Sequence, residues 1–254
     1  MEKTILEVEK LCFSFSKDKQ LLNNISFKIN EGELCLIVGA NGSGKSLLLK
    51  CLKGLLKPTS ATILVNGEDV SKKSKKRRTL FGLVFQDADS QIVGQTVEKD
   101  LRFGMENLNI QESEQIKRID EVSILLTLKD LLKSRPRILS GGEKRRLAIA
   151  GILVMKPQII FMDEPFANLD YPGVLQVLKS LLLLKESGHT IIIVSHEIEK
   201  IAAHADRLLL IEKGYLIAND IPELLLDKLP KHGVFVPTTQ GKSVPIEEMT
   251  WLKH

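Results

Sequence analysis

The chain reads as an α/β protein. A parallel sheet forms its core, an antiparallel strand layer covers the front, and a helical lobe is inserted. Three observations predict this. Leu34-Cys35-Leu36-Ile37-Val38 is a short, wholly apolar run, which suits a strand buried on both faces. It leads into a glycine-rich loop and then a helix-compatible pattern at Leu47, Leu48, Leu49 and Leu52. Further on, apolar strands and helices alternate on both sides of a helical stretch at about 87–154, the order expected of parallel strands joined by crossovers.

Residues 5–15 and 25–29 alternate apolar and polar side chains, as half-buried strands do, with a turn at 16–19. A turn at 30–33 precedes the apolar strand. The helix after the loop starts at about Lys45 and is ended by Lys57-Pro58-Thr59-Ser60. Residues 62–65 form a strand, Asn66-Gly67 a hairpin turn, and 80–85 another strand. The basic run at 72–78 is expected to be a solvated loop. Residues 112–132 carry Ile116, Ile119, Val122, Ile124, Leu125 and Leu128 near helical spacing. Leu139-Ser140-Gly141-Gly142-Glu143 opens a helix running to about 155, with Ser140 as cap. Strands follow at 159–162, 190–194 and 207–211, with an apolar helix at 172–186 that places Pro172 in its first turn. Lys213-Gly214 turns the chain into 215–218. Pro222, Pro230, Pro237 and Pro245 punctuate the tail, expected to be one helix at 222–229 and then loosely structured chain along the surface. The division is thus a domain at 1–218, with the helical lobe at about 87–154 inserted, and a C-terminal helix and tail at 219–254.

The 254 residues are 43% hydrophobic and 5% aromatic, so the core is aliphatic. A net charge of +4, from 36 basic against 32 acidic residues, describes a mixed solvated surface more than a nucleic-acid footprint. Cys12, Cys35 and Cys51 lack metal-ligand spacing and read as free thiols in a reducing compartment. The first residues have no apolar signal core, and no run approaches the ~20 apolar residues of a membrane helix. A soluble protein is expected, with any membrane role exercised through a partner.

Gly39-Ala40-Asn41-Gly42-Ser43-Gly44-Lys45-Ser46 fits G-x-x-x-x-G-K-[ST]. Its glycines let backbone N–H groups converge on phosphate, and the helix dipole points the same way. Asn41, Gly42, Ser43 and Gly44 would cradle the phosphates, Lys45 would reach the β- and γ-phosphates, and Ser46 would ligate Mg²⁺. The strand at 159–162 ends in Asp163-Glu164. Asp163 is placed to hold Mg²⁺, and Glu164 to polarise a water attacking the γ-phosphate. Ser140, Gly141 and Gly142 make a second helix start suited to phosphate. One nucleotide needs one such loop per subunit, so this one suggests presentation to a nucleotide held by a partner chain. An ordinary Ser-Gly helix start is the alternative.

With these residues in place, the chain resembles the ATP-binding subunits of ABC transporters over about 5–218. Gly39–Ser46 is similar to the Walker A loop, Ile159–Glu164 to the Walker B strand, and Leu139–Glu143 to the signature usually written LSGGQ, with Glu for Gln. Gln86 resembles the Q-loop glutamine, Ala167-Asn168-Leu169-Asp170 the D-loop, and His196 the switch histidine. Phe15 stands where relatives stack an aromatic ring, mostly Tyr, on adenine. Residues 82–91, 96–104 and 139–151 are similar to energy-coupling factor ATPases, which drive vitamin and metal-ion importers.

The resemblance implies a P-loop, RecA-like core, ATP and Mg²⁺ as ligands, and ATP hydrolysis. Glu164, His196 and Gln86 would act in catalysis, with Ser46, Gln86 and Asp163 around the metal. Phe15, the phosphate loop, Ser140–Gly142 and Asp170 would contact nucleotide. It also implies a homodimer, or a heterodimer with a sister ATPase, on the cytoplasmic face of the membrane. The partners would be a transmembrane scaffold subunit and a membrane substrate-binding subunit, and Asp87 and Asp89 would suit basic helices of the scaffold. A turn or helix cap is the alternative for those two acids. Two other readings stay open: the ATPase of another ABC transporter class, and an ATP clamp on nucleic acid or ribosomes. The latter has only the 72–78 run in its favour, and no nucleic acid is expected.

Overall fold

The computed structural model describes residues 3–16 and 19–252. Strands β1 (Thr4–Ser16) and β2 (Lys19–Asn30) are followed by β3 (Leu34–Val38), β4 (Ser60–Val65) and β5 (Glu68–Asp69). β2, β1, β4 and β5, in that order, form an antiparallel sheet. The alternation read from the sequence is real: Leu6, Val8, Leu11, Leu22, Ile25, Phe27 and Ile29 are all buried on its inner face. The turn expected at 16–19 falls across residues 17 and 18, outside the described residues.

The core sheet adds β6 (Phe81–Val84), β7 (Ile159–Asp163), β8 (Thr190–Val194), β9 (Arg207–Glu212) and β10 (Tyr215–Asp220). Its order is β10-β9-β3-β8-β7-β6, parallel except for β10 against β9. Both faces are covered, which explains the unbroken apolar strands. Cys35, Ile37, Ile159, Phe161, Ile192 and Val194 pack towards α1 (Lys45–Lys53) and the antiparallel sheet. Leu34, Leu36, Ile160, Met162, Ile191 and Ile193 pack on the other side with α5 (Gly141–Leu153) and α6 (Tyr171–Glu186). The register aligns Ile37, Val194 and Asp163 at the C-terminal edge. The phosphate loop, the Asp-Glu pair and the residues after β8 therefore emerge together, where ligands bind in such sheets.

Three expectations are corrected. The basic run is not a loop: Ser74–Leu80 is helix α2, and Arg77 on it is buried. Lys and Arg are good helix formers, but this helix has no apolar stripe to reveal it. The helix expected over 112–132 is α4 (Glu112–Leu125), after α3 (Val97–Asn107). Thr127 takes φ 54°, and Leu128 N–H bonds to the Ser123 carbonyl at 2.7 Å, closing the helix. Leu126 and Leu128 are buried beyond this stop, so the apolar spacing runs on through a break in the backbone. In the tail, the expected helix at 222–229 is two short 3₁₀ turns, Pro222–Leu224 and Leu229–His232, separated by a break and punctuated by Pro230. The tail is not loose either. Leu225, Leu226, Leu229, Val234, Val236, Ile246 and Met249 are buried in the main core cluster. Cys35 and Cys51 are buried and Cys12 is half-buried, all as free thiols.

Candidate nucleotide site

The phosphate loop turns where only glycine fits. Gly39 has φ 146°, and a Cβ there would lie 2.0 Å from the Ile211 carbonyl oxygen. Gly44 has φ 109° and caps the start of α1, so the loop closes directly onto the helix dipole. Lys45 folds into the loop and donates to the carbonyls of Gly39 at 2.7 Å and Ala40 at 3.1 Å. Burial pulls its pKa down, while Glu164 and Asp163 pull it up by less. Ser43 is buried with its hydroxyl unpartnered. An orphaned hydroxyl inside a ring of backbone N–H groups fits a phosphate oxygen.

Ser46, one residue into α1, donates to Asp163 Oδ1 at 3.0 Å, joining the loop to the end of β7. Burial raises the Asp163 pKa, opposed by the Ser46 hydrogen bond and assisted by the Glu164 charge. Glu164 follows in the left-handed region, φ 49°, with its N–H on the Val194 carbonyl at 2.9 Å. Its Oε1 lies 2.9 Å from His196 Nδ1, and its Oε2 accepts from the His196 N–H at 3.4 Å. The contact engages Nδ1 and leaves Nε2 for another partner. Among the described residues, no group of three or more His, Cys, Asp or Glu could hold a metal. A divalent ion would take the Ser46 and Asp163 oxygens and complete its shell from phosphate and water, the usual habit of Mg²⁺.

The structure gathers Asn41 to Ser46, Gln86, Glu164 and His196 around one cleft of about 300 Å³. Gln86 also lines a second cleft of about 300 Å³, with Gly141, Lys144, Arg145 and the 167–169 segment. No residue of 139–143 lines the phosphate-loop cleft. Ser140 and Glu143 form a reciprocal capping box: Ser140 N–H donates to Glu143 Oε2 at 2.7 Å, and Glu143 N–H to Ser140 Oγ at 3.3 Å. The Ser140 N–H holds the Glu143 carboxyl below its usual range, so the charge that departs from LSGGQ is absorbed locally. Gly142 packs against Gly173, where a Cβ would lie 3.0 Å from the Gly173 Cα. Asp170 caps α6, accepting from Gly173 N–H at 2.9 Å, and is absent from the phosphate-loop cleft. Phe15 is 71% exposed at the end of β1, edge-on to Phe13 at 4.8 Å. Asp87 caps a turn, accepting from Asp89 N–H at 3.1 Å, and Asp89 pairs with Lys144 at 2.7 Å.

Two side chains that the sequence left without a role organise this region. Arg145, 3% exposed, donates to the carbonyls of Phe85 and Gln86 at 2.6 Å each and of Ala167 at 3.5 Å. It fastens α5 to the Gln86 loop and to the segment after Glu164. Gln91 accepts from Phe85 N–H at 3.0 Å and donates to the Ala148 carbonyl at 3.1 Å. No spacing rule flags either, because their partners are backbone carbonyls and an N–H group.

The ABC transporter family matches residues 22–167, more than half of the chain. An energy-coupling factor transporter ATP-binding protein of Mycoplasmoides gallisepticum is 40% identical over 227 residues, covering 89% of this chain and 81% of its own. Its counterpart in Enterococcus faecalis is 36% identical over 251 residues, covering 96% and 90%. The solved structure of cbiO1 from Clostridium perfringens, described as part of the ABC transporter complex cbiONQ, superposes with a TM-score of 0.82. It is 36% identical, covering 92% of this chain and 95% of that one. With the loop, strand and cleft in the arrangement described, the chain belongs to the ABC transporter ATP-binding proteins of the energy-coupling factor type and is an ATPase.

Proposed function

We propose that this ATPase powers import of a vitamin or metal ion from the cytoplasmic face of the membrane. Its partners are a transmembrane scaffold subunit and a membrane substrate-binding subunit. Among the described residues no helix is long and apolar enough to cross a membrane. The observation that carries the mechanism is the separation of the two phosphate-binding starts. Asn41–Ser46 line one cleft, and Ser140–Gly142 lie outside it. A second cassette, a copy or a sister ATPase, turned head to tail would bring its own Ser140–Gly142 over the ATP, and the anion would bridge two positive helix ends.

In that dimer Lys45 exchanges its loop carbonyls for β- and γ-phosphate oxygens, and Ser43 fills its missing partner. Ser46, Asp163 and Gln86 would hold Mg²⁺, which would supply charge neutralisation at the phosphates. Glu164 orients the attacking water and takes its proton on the carboxylate. His196, held through Nδ1, presents Nε2 to the γ-phosphate. Phe15 stacks on the adenine face. Arg145 keeps Gln86 in register, so that loss of the γ-phosphate is felt by the helical lobe and passed to the scaffold.

The test is an affinity capture from detergent-solubilised membranes with tagged Glu164→Gln protein, ATP and Mg²⁺. Recovery of a multi-span scaffold with a small membrane-embedded binding protein is expected, and the binding protein then identifies the solute. Recovery of ribosomal or nucleic-acid components without a membrane partner would overturn the transport role and leave the ATPase chemistry standing.

A further inference from the structure

A further cavity, of about 580 Å³, lies between the segment after α1, the start of β4 and α2. It shares no lining residue with the phosphate-loop cleft. Lys57, Lys72, Arg77 and three serines line it beside apolar residues such as Leu55 and Leu56, and no Asp or Glu lines it. Arg77 is 2% exposed, and its Nε and Nη1 are buried with no hydrogen-bond partner among the described residues. The ionisable group that acts on it is the Cys51 thiol. Burial pushes that thiol up to about 12, so it stays protonated and offers no counter-charge.

The acids of the preceding turn are committed elsewhere. Glu68 pairs with Lys73 and Lys76, and Asp69 accepts from the N–H and hydroxyl of Ser71. More positive charge stands alongside. Arg78 donates to the Gly54 carbonyl at 3.4 Å, and Lys53 donates to the Arg78 and Phe81 carbonyls. Burial, with a smaller push from the Arg78 charge, takes the Lys53 pKa down to about 8.

A guanidinium buried without a carboxylate is costly, and the usual remedy is an anion that satisfies its fork. Phosphate matches that fork in shape and charge, and lysines on a rim complete such sites. We propose that this cavity binds a phosphate group, with Arg77 at its floor and Lys57 and Lys72 at its rim. The ligand is a phosphate mono- or diester. It is either a small phosphate free in solution or the headgroup of an anionic lipid. This site is separate from the nucleotide site, and its occupancy neutralises the charge that Arg77 buries on α2.

The test uses full-length Lys45→Ala protein, so that the phosphate loop no longer competes. It compares this parent with the same chain carrying Arg77→Met, or Lys57→Ala with Lys72→Ala. Both lysines are exposed, so the second variant reports on binding independently of the buried arginine. Inorganic phosphate is titrated calorimetrically. Phosphatidylcholine vesicles, with and without phosphatidylglycerol, are tested by co-sedimentation. The expected result is that the parent binds phosphate, the phosphatidylglycerol vesicles or both, and that each variant weakens this about tenfold or more. Binding of phosphate alone identifies a soluble ligand, and binding of the vesicles alone identifies a lipid headgroup. In phosphate-free buffer Arg77→Met should melt no lower than its parent, because an unsatisfied charge has been removed. If neither probe binds, if the variants bind like the parent, or if Arg77→Met melts well below it, the proposal is overturned.

Discussion

Arg145 offers the sharpest link between structure and rate, and Arg145→Met is the perturbation that exposes it. The wild-type side chain makes two 2.6 Å charge-assisted bonds to the Phe85 and Gln86 carbonyls and a weaker one at 3.5 Å to Ala167. Bonds of that kind contribute about 1.5–3 kcal/mol each. Two effects oppose the sum. Burial lowers the Arg145 pKa and its Nε has no partner, so the charge already carries a desolvation penalty. Phe85 and Gln86 are exposed, so water can take over their freed carbonyls. The net loss should be about 2–3 kcal/mol, a fall in melting temperature of about 4–10 °C for a chain of this size. The larger consequence is positional. Gln86 loses the tether that sets it at the edge of the phosphate-loop cleft, and a misplacement of an ångström lowers turnover by about 10–100-fold. Arg145→Lys keeps the charge but cannot span two carbonyls, so it should restore part of the stability and little of the rate. Thermal denaturation and steady-state ATP hydrolysis on the three proteins read both effects. If Arg145→Met melts lower but hydrolyses ATP at the wild-type rate, Arg145 is only a structural brace. If both are unchanged, the three contacts carry nothing.

Two further outcomes follow from the charges at the site. Asp163 has a folded pKa above its unfolded value, so its contribution is most favourable at low pH and is lost as pH rises through the folded value. Asp163→Asn should therefore raise the melting temperature in metal-free buffer at neutral pH and abolish the additional stabilisation by ATP with Mg²⁺; a lower melting temperature would show that the carboxylate is not strained by burial. Glu143 has the opposite sign: its folded pKa is depressed, so the stability it gives is present above the unfolded value and lost as pH falls through the folded one. Glu143→Ala should cost about 1 kcal/mol at neutral pH and much less in acid, while Glu143→Gln keeps both arms of the capping box and stays within about 0.5 kcal/mol. Denaturant melts across pH would contradict this if Gln and Ala behaved alike.

The parts of this molecule that were legible in the sequence are those where one local rule decides. The run at 34–38 reads as a buried strand and the glycines after it as a tight turn into a helix, and both are found. The alternation in β1 and β2 and the Pro172 start of α6 belong to the same class. What was hidden depends on tertiary context. Helix α2 buries an arginine rather than an apolar stripe, so its charge run looked like a loop. α4 stops at Leu125 because Thr127 turns the backbone, although the apolar spacing continues. The tail was misread because prolines separate short buried segments that only the finished core brings together. The Glu164–His196 contact joins residues 32 positions apart, and no local rule points to it; strand register, with Asp163 beside Val194, explains it physically. Arg145 and Arg77 had no signature, since one serves backbone carbonyls and the other buries an Nε and an Nη1 that have no partner among the described residues.

The central claim is that Glu164, set at the end of β7 and braced by His196, is the base for hydrolysis in the phosphate-loop cleft. The direct measurement is the ATP hydrolysis rate of Glu164→Gln against wild type in the same preparation, with nucleotide retention scored in parallel. The account predicts a fall of about 10²–10⁴-fold with ATP still bound to the protein. Hydrolysis at the wild-type rate would contradict it and move the proton acceptor elsewhere.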